Sequence, residues 1–339
     1  MTHALLPVGR VYYAPVLRER PADFAAALRA PIGELELLSG RRARAYIDAA
    51  RAALSQRERE FHVIVHANPA EVYRVACGRG LQIVVFGLAR PERLTLEADY
   101  GALLVRNGVP IGYGYAAIAF GRGDIAINIF PEYRAGESPY VFTQFSALFA
   151  RHFGVRQIVM RRYQLGWQNP EGIEAGSFWF YYKLGFRSVD ARMRRLADGE
   201  AQRLARRRGA RSSEAMLKRL AKSDMVLCLD GTPVEAFRDV PLRDIGLKVT
   251  RLIERGYGGE RRRAVADCER RVGRLLGGSV AACRLAPVVA LMPHLTRWSR
   301  AERAALLRLV RLKEGATERP FVLALLGQER LRRLLFQLV

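Results

Sequence analysis

Short apolar runs, rich in β-branched and aromatic residues, alternate with polar positions in the middle of the chain, as in strands of a sheet with one covered face. These predicted strands span residues 61–65, 81–88, 101–106, 111–120 and 124–130. Turn signals at Asn107-Gly108 and at residues 121–124 join the last three strands, because Asn and Gly tolerate the positive φ angles of tight hairpins. The pattern therefore predicts an antiparallel meander.

Helical periodicity precedes and follows this meander. Phe24, Ala27 and Leu28 recur at helical spacing within residues 20–60, which predict N-terminal helices. After the meander, a helix with an apolar face is predicted to begin at a Ser138 cap, with Pro139 in its first turn. Its apolar face is formed by Val141, Phe142, Phe145, Leu148 and Phe149.

Gly154 is predicted to end that helix, because a left-handed residue commonly closes a helix. A strand over 156–163 and a helix over 174–184, ended by Gly185, follow. Beyond residue 187 the chain is expected to be basic and helical. Residues 225–229 are one more candidate strand, and the last forty residues suggest two amphipathic helices, the first opened by a capping box at Ser299 and Glu302.

These elements predict an α+β, layered fold: a mixed, mostly antiparallel sheet flanked by helices, with helical N- and C-terminal extensions. At 339 residues the chain exceeds the size at which one core usually keeps growing. We predict three segments: a helical extension over 1–59, a core over 60–190, and a basic, mainly helical region over 191–339.

The net charge of +23 favours an acidic partner. Nucleic acid, the phosphates of coenzyme A and an acyl carrier protein would each benefit from such a field. However, 51 of the 56 basic residues are arginine, a bias that also fits GC-rich coding. The arginine runs 206–208 and 261–263 are typical of solvated faces. Nucleic-acid binding is therefore an alternative that we do not favour.

The four cysteines form no CxxC pair, no signal peptide is recognisable, and no uncharged apolar run reaches the eighteen residues of a membrane span. We therefore expect a cytoplasmic protein with reduced thiols and no membrane span. His62 and His66 lie four apart near a predicted strand, without the spacing of a helical metal pair and third ligand. They are expected to be structural, so no metal is predicted.

The segment 176–186, GSFWFYYKLGF, carries the most specific pattern in the chain. It resembles the late helix of the GCN5-related N-acetyltransferase superfamily, whose signature runs Phe-Tyr, any residue, Lys-Leu-Gly-Phe. The resemblance covers about residues 97–187 and implies that Tyr181 lies near the coenzyme A sulfur, where it stabilises or protonates the leaving thiolate. It also implies that Lys183 belongs to the cofactor-binding segment. The alternative is that Tyr181 is a packed aromatic residue.

The same resemblance implies a phosphate-binding loop ahead of the helix at Pro139. Free backbone amides and the positive end of a helix dipole bind pyrophosphate, and small residues let it approach. The spacing is shortened here, and the second glycine of the superfamily pattern is replaced. The alternative is an ordinary capped turn. The candidate cofactor-binding residues in this loop are Arg134, Ala135, Gly136, Glu137 and Ser138.

Two further candidates lie between these motifs. Asn169 matches an asparagine that superfamily members often carry near the pantetheine arm of the cofactor; otherwise it belongs to a turn. Glu171 is our candidate general base, since a carboxylate half-buried by tryptophans can have a raised pKa. Glu132, Glu137 and Glu174 are rivals for this role, and each of these acids could instead be a cap or surface charge.

The sequence thus predicts an N-acyltransferase that uses acetyl-CoA or another acyl-CoA and an unidentified small-molecule or peptide amine. Direct attack of the amine on the thioester needs no metal and no enzyme nucleophile. One alternative donor is acyl carrier protein. The other alternative is a non-catalytic module of the same fold that binds a ligand or protein.

Overall fold

The computed structural model describes residues 6, 11–13, 16, 21, 23–134, 136–207, 209–280 and 283–338. The predicted cofactor-binding residue Ala135 lies outside these ranges. Within them, nine strands form one sheet in the order β1-β2-β3-β4-β5-β6-β7-β9-β8. The strands are β1 (Glu36–Leu38), β2 (Ala67–Ala76), β3 (Leu81–Leu88), β4 (Ala98–Arg106), β5 (Val109–Ala119), β6 (Arg122–Ile129), β7 (Gln157–Met160), β8 (Arg187–Ser188) and β9 (Met225–Cys228).

Helices cover this sheet and extend beyond it. Over the described ranges they are α1 (Phe24–Arg29), α2 (Gly40–Ser55), α3 (His62–Val65), α4 (Ser138–Phe153), α5 (Arg162–Leu165), α6 (Pro170–Glu174), α7 (Ser177–Lys183), α8 (Ala191–Arg206), α9 (Glu214–Leu220), α10 (Leu242–Tyr257), α11 (Arg261–Leu276), α12 (Ala286–Ala290), α13 (Arg300–Lys313), α14 (Arg319–Leu325) and α15 (Glu329–Gln337). Among the described strands, the β6–β7 pair alone is parallel. The predicted α+β class with a mixed, mostly antiparallel sheet is confirmed.

The meander forms as predicted, with one change of turn. Asn107 and Gly108 have φ angles of 49° and 79° and join β4 to β5. The second turn is Phe120-Gly121, with φ angles of 52° and 76°, so β6 already begins at Arg122. The turn was predicted at 121–124 because Gly121 and Gly123 both favour loops, but Gly123 lies within β6.

The predicted strand over 61–65 is wrong. These residues form the one-turn helix α3, although Val63, Ile64 and Val65 favour strands locally. Helix α3 lies against β4, where a side chain in place of Gly101 would come within 3.2 Å of Val63 and Ile64. The bare backbone at Gly101 therefore makes room for buried helical side chains, and tertiary packing overrides the local preference.

Strands β1 and β2 were missed. Pro69 and Asn68 disguise the start of β2, and its pairing with β3 shifts register between Ala67 and Val72. Proline is tolerated there because β1 pairs only with residues 72–74, which leaves this end of β2 on an edge.

Helix α4 supplies the aromatic core beneath the sheet. Phe142, Phe145, Phe149 and Phe153 are fully buried, and Gly154 ends the helix at φ 70° as predicted. Ser138, however, is not the cap. The N-cap residue is Glu137, and its carboxylate forms ion pairs with Arg79 and Arg106, at 2.9 and 2.7 Å, instead of capping the helix.

The elements after α4 are shorter than predicted. Strand β7 ends at Met160, and α5 begins at Arg162. The predicted helix over 174–184 is present only from Ser177, as α7, because Gly176 adopts a left-handed φ of 63° and separates it from α6, which ends at Glu174. The candidate strand at 225–229 is confirmed as β9. It lies between β7 and the two-residue β8.

Buried charges fix the C-terminal helices to the sheet. Lys313 of α13 donates to Glu318 Oε1 (2.6 Å) and to the Glu97 carbonyl oxygen (2.7 Å). Glu71 of β2 accepts from the Glu318 amide (2.8 Å), and Arg93 donates to the Lys313 carbonyl oxygen. The capping box of Ser299 and Glu302 is confirmed, but the last forty residues, up to 338, form three helices rather than two.

Candidate functional site

The parallel strands β6 and β7 diverge after three residue pairs, Arg122 to Asp124 with Gln157 to Val159. The rest of β6, from Ala126 to Ile129, instead lines a cavity of about 700 Å³. This volume is within the range of small-molecule sites. The loop before α4, the helices α5 to α7 and two residues ahead of α3 form its other walls.

The wall on the meander side is aromatic, and we did not predict its residues. Tyr113 and Tyr115 project from the same face of β5 and pack against Phe61, with ring centres 5.6 and 5.9 Å from it. Arg59 donates to the Tyr113 hydroxyl (3.3 Å). Alternation along β5 could have suggested these tyrosines, but Arg59 and Phe61 were assigned to other elements.

Tyr181 of α7 lines the opposite wall and is 7% exposed. Its ring packs edge-on against Phe142, Phe180 and Phe186, with centres 5.1 to 5.7 Å apart. Burial raises the pKa of Tyr181 above its usual value, so the phenol stays protonated at neutral pH. Among the described residues no group is hydrogen-bonded to its hydroxyl. Tyr181 is therefore both a packed aromatic residue and a free donor at the cavity.

The predicted phosphate loop reaches the cavity through Arg134 and Ser138. Arg134 Nε donates to the Ile129 carbonyl oxygen (2.9 Å), and its Nη2 lies 3.9 Å from Glu171 Oε1. Gly136 has a φ of 84°, which favours glycine, but it does not line the cavity. Glu137 turns away into its pairs with Arg79 and Arg106. The loop thus offers one guanidinium and the first turn of α4 to an anion.

Asn169 and Glu171 lie at the start of α6, and both line the cavity. The Asn169 side chain accepts from the Gly172 amide (3.3 Å) and donates to the Tyr163 carbonyl oxygen (3.0 Å), so it caps α6. The Glu171 side chain is 59% exposed and is not buried by tryptophans.

Five of the predicted site residues, then, line one cavity: Arg134, Ser138, Asn169, Glu171 and Tyr181. Lys183 does not line the cavity, and its side chain is exposed.

A buried carboxyl group lies behind the aromatic wall. The Tyr115 hydroxyl donates to Asp99 Oδ1 (3.4 Å), and Asp99 is 8% exposed. Burial, followed by the charges of Glu97 and Glu318, raises the pKa of Asp99 to about 7. Asp99 lies on β4, two residue pairs along from the Gly101–Tyr115 pair and so on the same face as Tyr115, and only the strand register could reveal this contact.

The chain matches no protein-family model, no curated protein and no solved structure. Each of the four cysteines, all within the described ranges, is a free thiol. Across those ranges we find no helix that is both long and apolar enough to cross a bilayer.

Proposed function

We propose that this protein is an N-acyltransferase of the GCN5-related superfamily that transfers an acyl group from acyl-CoA to an amine. The observation that carries the proposal is the cavity at the divergence of β6 and β7. It brings the N-terminal turn of α4, Arg134 and Tyr181 to one space. The strand order from β4 to β8, with its parallel pair and the insertion of β9, supports the acyl-CoA N-acyltransferase fold.

In the proposed reaction the amine nitrogen attacks the thioester carbonyl carbon, and the carbon–sulfur bond breaks. Tyr181 donates a hydrogen bond to the developing thiolate. Because its pKa lies above that of a thiol, stabilising the thiolate is its role rather than complete proton transfer. The cofactor pyrophosphate would lie at Arg134 and the start of α4.

The amine must also lose a proton. Tyr115 can accept it while passing its own hydroxyl proton to Asp99, and this route ends on a buried carboxylate. Glu171 is the second candidate, and its exposed position keeps it accessible to an amine at the cavity mouth. The substrate amine would then lie between the wall of Tyr113, Tyr115 and Phe61 and the acyl group.

Calorimetric titration with acetyl-CoA and longer acyl-CoAs tests the proposal. We expect micromolar binding, followed by release of free coenzyme A when primary amines are screened as acceptors. Absence of binding by every acyl-CoA would contradict the coenzyme-dependent enzyme. It would leave acyl carrier protein as donor, or a non-catalytic module, to be tested with acylated carrier protein.

Arg134→Ala is expected to weaken acyl-CoA binding about tenfold or more, because one charge-assisted contact to phosphate contributes roughly 1.5–3 kcal/mol. Arg192→Ala, which removes an exposed arginine from α8, is the matched control for lost positive charge. Equal weakening in both variants would mean that the general field of the protein, and not the loop, attracts the cofactor.

The proton route predicts a pH dependence. Asp99 can accept a proton only as a carboxylate, so kcat/KM should rise with pH through about 7 and level off above it. Asp99→Asn and Tyr115→Phe should both remove this limb of the profile, whereas Glu171→Gln should leave it in place. The reverse result would assign the base to Glu171.

A further inference from the structure

Two histidines and a glutamate meet at the end of the sheet beside β3. One potential ligand atom from each of His62, His66 and Glu92 lies within 4.8 Å of the other two. The two imidazole rings have centres 4.7 Å apart. A strand over 61–65 would have held the histidines about 13 Å apart, but the helical turn α3 brings them together.

The backbone around the three residues is held by hydrogen bonds. The His66 amide donates to the His62 carbonyl oxygen (2.9 Å), which closes the turn of α3. The Ala89 amide donates to the His66 carbonyl oxygen (2.9 Å), and the Glu92 amide donates to the Ala89 carbonyl oxygen (3.0 Å). The 3₁₀ turn Arg90–Glu92 is thereby joined to α3 by main-chain contacts, so the ligand positions do not depend on side-chain contacts alone.

Helix α2 fixes α3 from the other side. Arg51 donates to the carbonyl oxygens of Ile64 (3.3 Å) and Val65 (2.6 Å). Val63 and Ile64 are buried on the sheet, so the turn presents His62 and His66 outward. The positive guanidinium of Arg51, which is bound to the Val65 carbonyl oxygen next to His66, would repel a nearby cation. We therefore expect binding of moderate strength.

The three side chains have no competing partner in the described part of the chain: they take part in no hydrogen bond or ion pair there. His62 is exposed, and His66 and Glu92 are half-buried, so an ion can enter from solvent. Two imidazoles and one carboxylate are a ligand set that zinc accepts, with water in the fourth position. Tetrahedral bonds of about 2.1 Å place ligand atoms about 3.4 Å apart, so side-chain rotations must close separations of up to 4.8 Å by at most about 1.4 Å.

We propose that His62, His66 and Glu92 form a binding site for a zinc-class divalent cation, with one coordination position left to water. The site is separate from the acyl-CoA proposal, although Phe61, the residue before His62, belongs to the cavity wall. The histidines bind through neutral imidazole nitrogens, and Glu92 supplies the negative charge. Joining α3 to the turn at Arg90–Glu92, the ion should stabilise the folded chain.

The test uses full-length protein without a histidine tag, treated with chelator and titrated with Zn²⁺ by calorimetry and with Co²⁺ by visible absorption. We expect one ion per chain, with affinity on the order of micromolar. His66→Ala and Glu92→Gln should each weaken binding more than tenfold. His294→Asn is the matched control: it removes an exposed histidine elsewhere, and Asn tolerates the φ of 53° at that position.

Thermal unfolding separates lost ligands from lost structure. Without metal, both variants should melt within a few degrees of the wild-type temperature, because the substituted side chains form no hydrogen bond or ion pair in the described structure and His66 loses only its ring contact with His62. Zinc should raise the melting temperature of the wild type and of His294→Asn but not of the two ligand variants. The proposal is overturned if the wild type binds no stoichiometric Zn²⁺ or Co²⁺, or if both ligand variants bind them as the wild type does.

Discussion

Tyr181→Phe should lower turnover about 100-fold while acyl-CoA affinity stays within about twofold, if the proposed chemistry is right. A positioned donor aimed at developing charge contributes about 10²–10³ in kcat. The substitution removes only the hydroxyl oxygen, and the ring contacts with Phe142, Phe180 and Phe186 remain. Steady-state kinetics combined with calorimetry measures the two quantities separately.

Tyr182→Phe is the matched control, because this neighbouring tyrosine donates to Asp198 (2.8 Å) and lies outside the cavity wall. It should leave turnover nearly unchanged. If Tyr181→Phe lowers affinity and turnover together, the hydroxyl orients the binding wall and the chemical role is wrong.

Lys313→Met should lower the free energy of unfolding by about 3–5 kcal/mol, the usual cost of removing one partner from a buried ion pair. Lys313 and Glu318 are fully buried. Burial lowers the pKa of the lysine and raises that of the glutamate, and the ion pair between them opposes both shifts. Arg93, whose Nε lies 3.6 Å from Glu318 Oε2, is a second and more distant partner of the glutamate. Urea unfolding with fluorescence detection measures the loss.

Two comparisons sharpen this result. Lys218→Met removes an exposed i,i+4 pair with Glu214 and should change stability by no more than about 0.5 kcal/mol. The double variant Lys313→Met with Glu318→Leu should recover most of the loss, because both charges are removed together and Arg93 keeps its ion pair with Glu71 (3.8 Å). A single variant as stable as the wild type would mean that Glu318 protonates at little cost.

The sequence predicts those features of the fold that single residues or short motifs determine, and it misses those that depend on contacts between distant residues. The hairpin at Asn107-Gly108 and the helix end at Gly154 follow from backbone preferences of single residues, and both were predicted correctly. The motif over 176–186 is also local, and it correctly placed Tyr181 on a helix. By contrast, α3 takes its conformation from space above Gly101, which lies almost forty residues away.

In the candidate site, too, the residues near local motifs were predicted and those joined by distant contacts were missed. Arg134, Ser138 and Glu171 lie near motifs and were found from the sequence. Tyr115 and Asp99 meet only through the register of β4 and β5. Outside this site, the sequence placed His62 and His66 near a strand, whereas the helical turn α3 brings their rings together. Glu137 was assigned to the phosphate loop, but its arginine partners come from residues 79 and 106, which no local pattern indicates.

The insertion of β9 between β7 and β8 has a consequence for biosynthesis. Strand β7 consists of four buried residues and has β9 on one side, so its edge stays unpaired until the ribosome has passed residue 228. Glu71 lacks one of its hydrogen-bond donors for longer, because the amide from which it accepts belongs to Glu318. During synthesis the apolar strand β7 therefore keeps an unpaired edge until β9 has been made, and Glu71 lacks the Glu318 amide until almost the whole chain has been made.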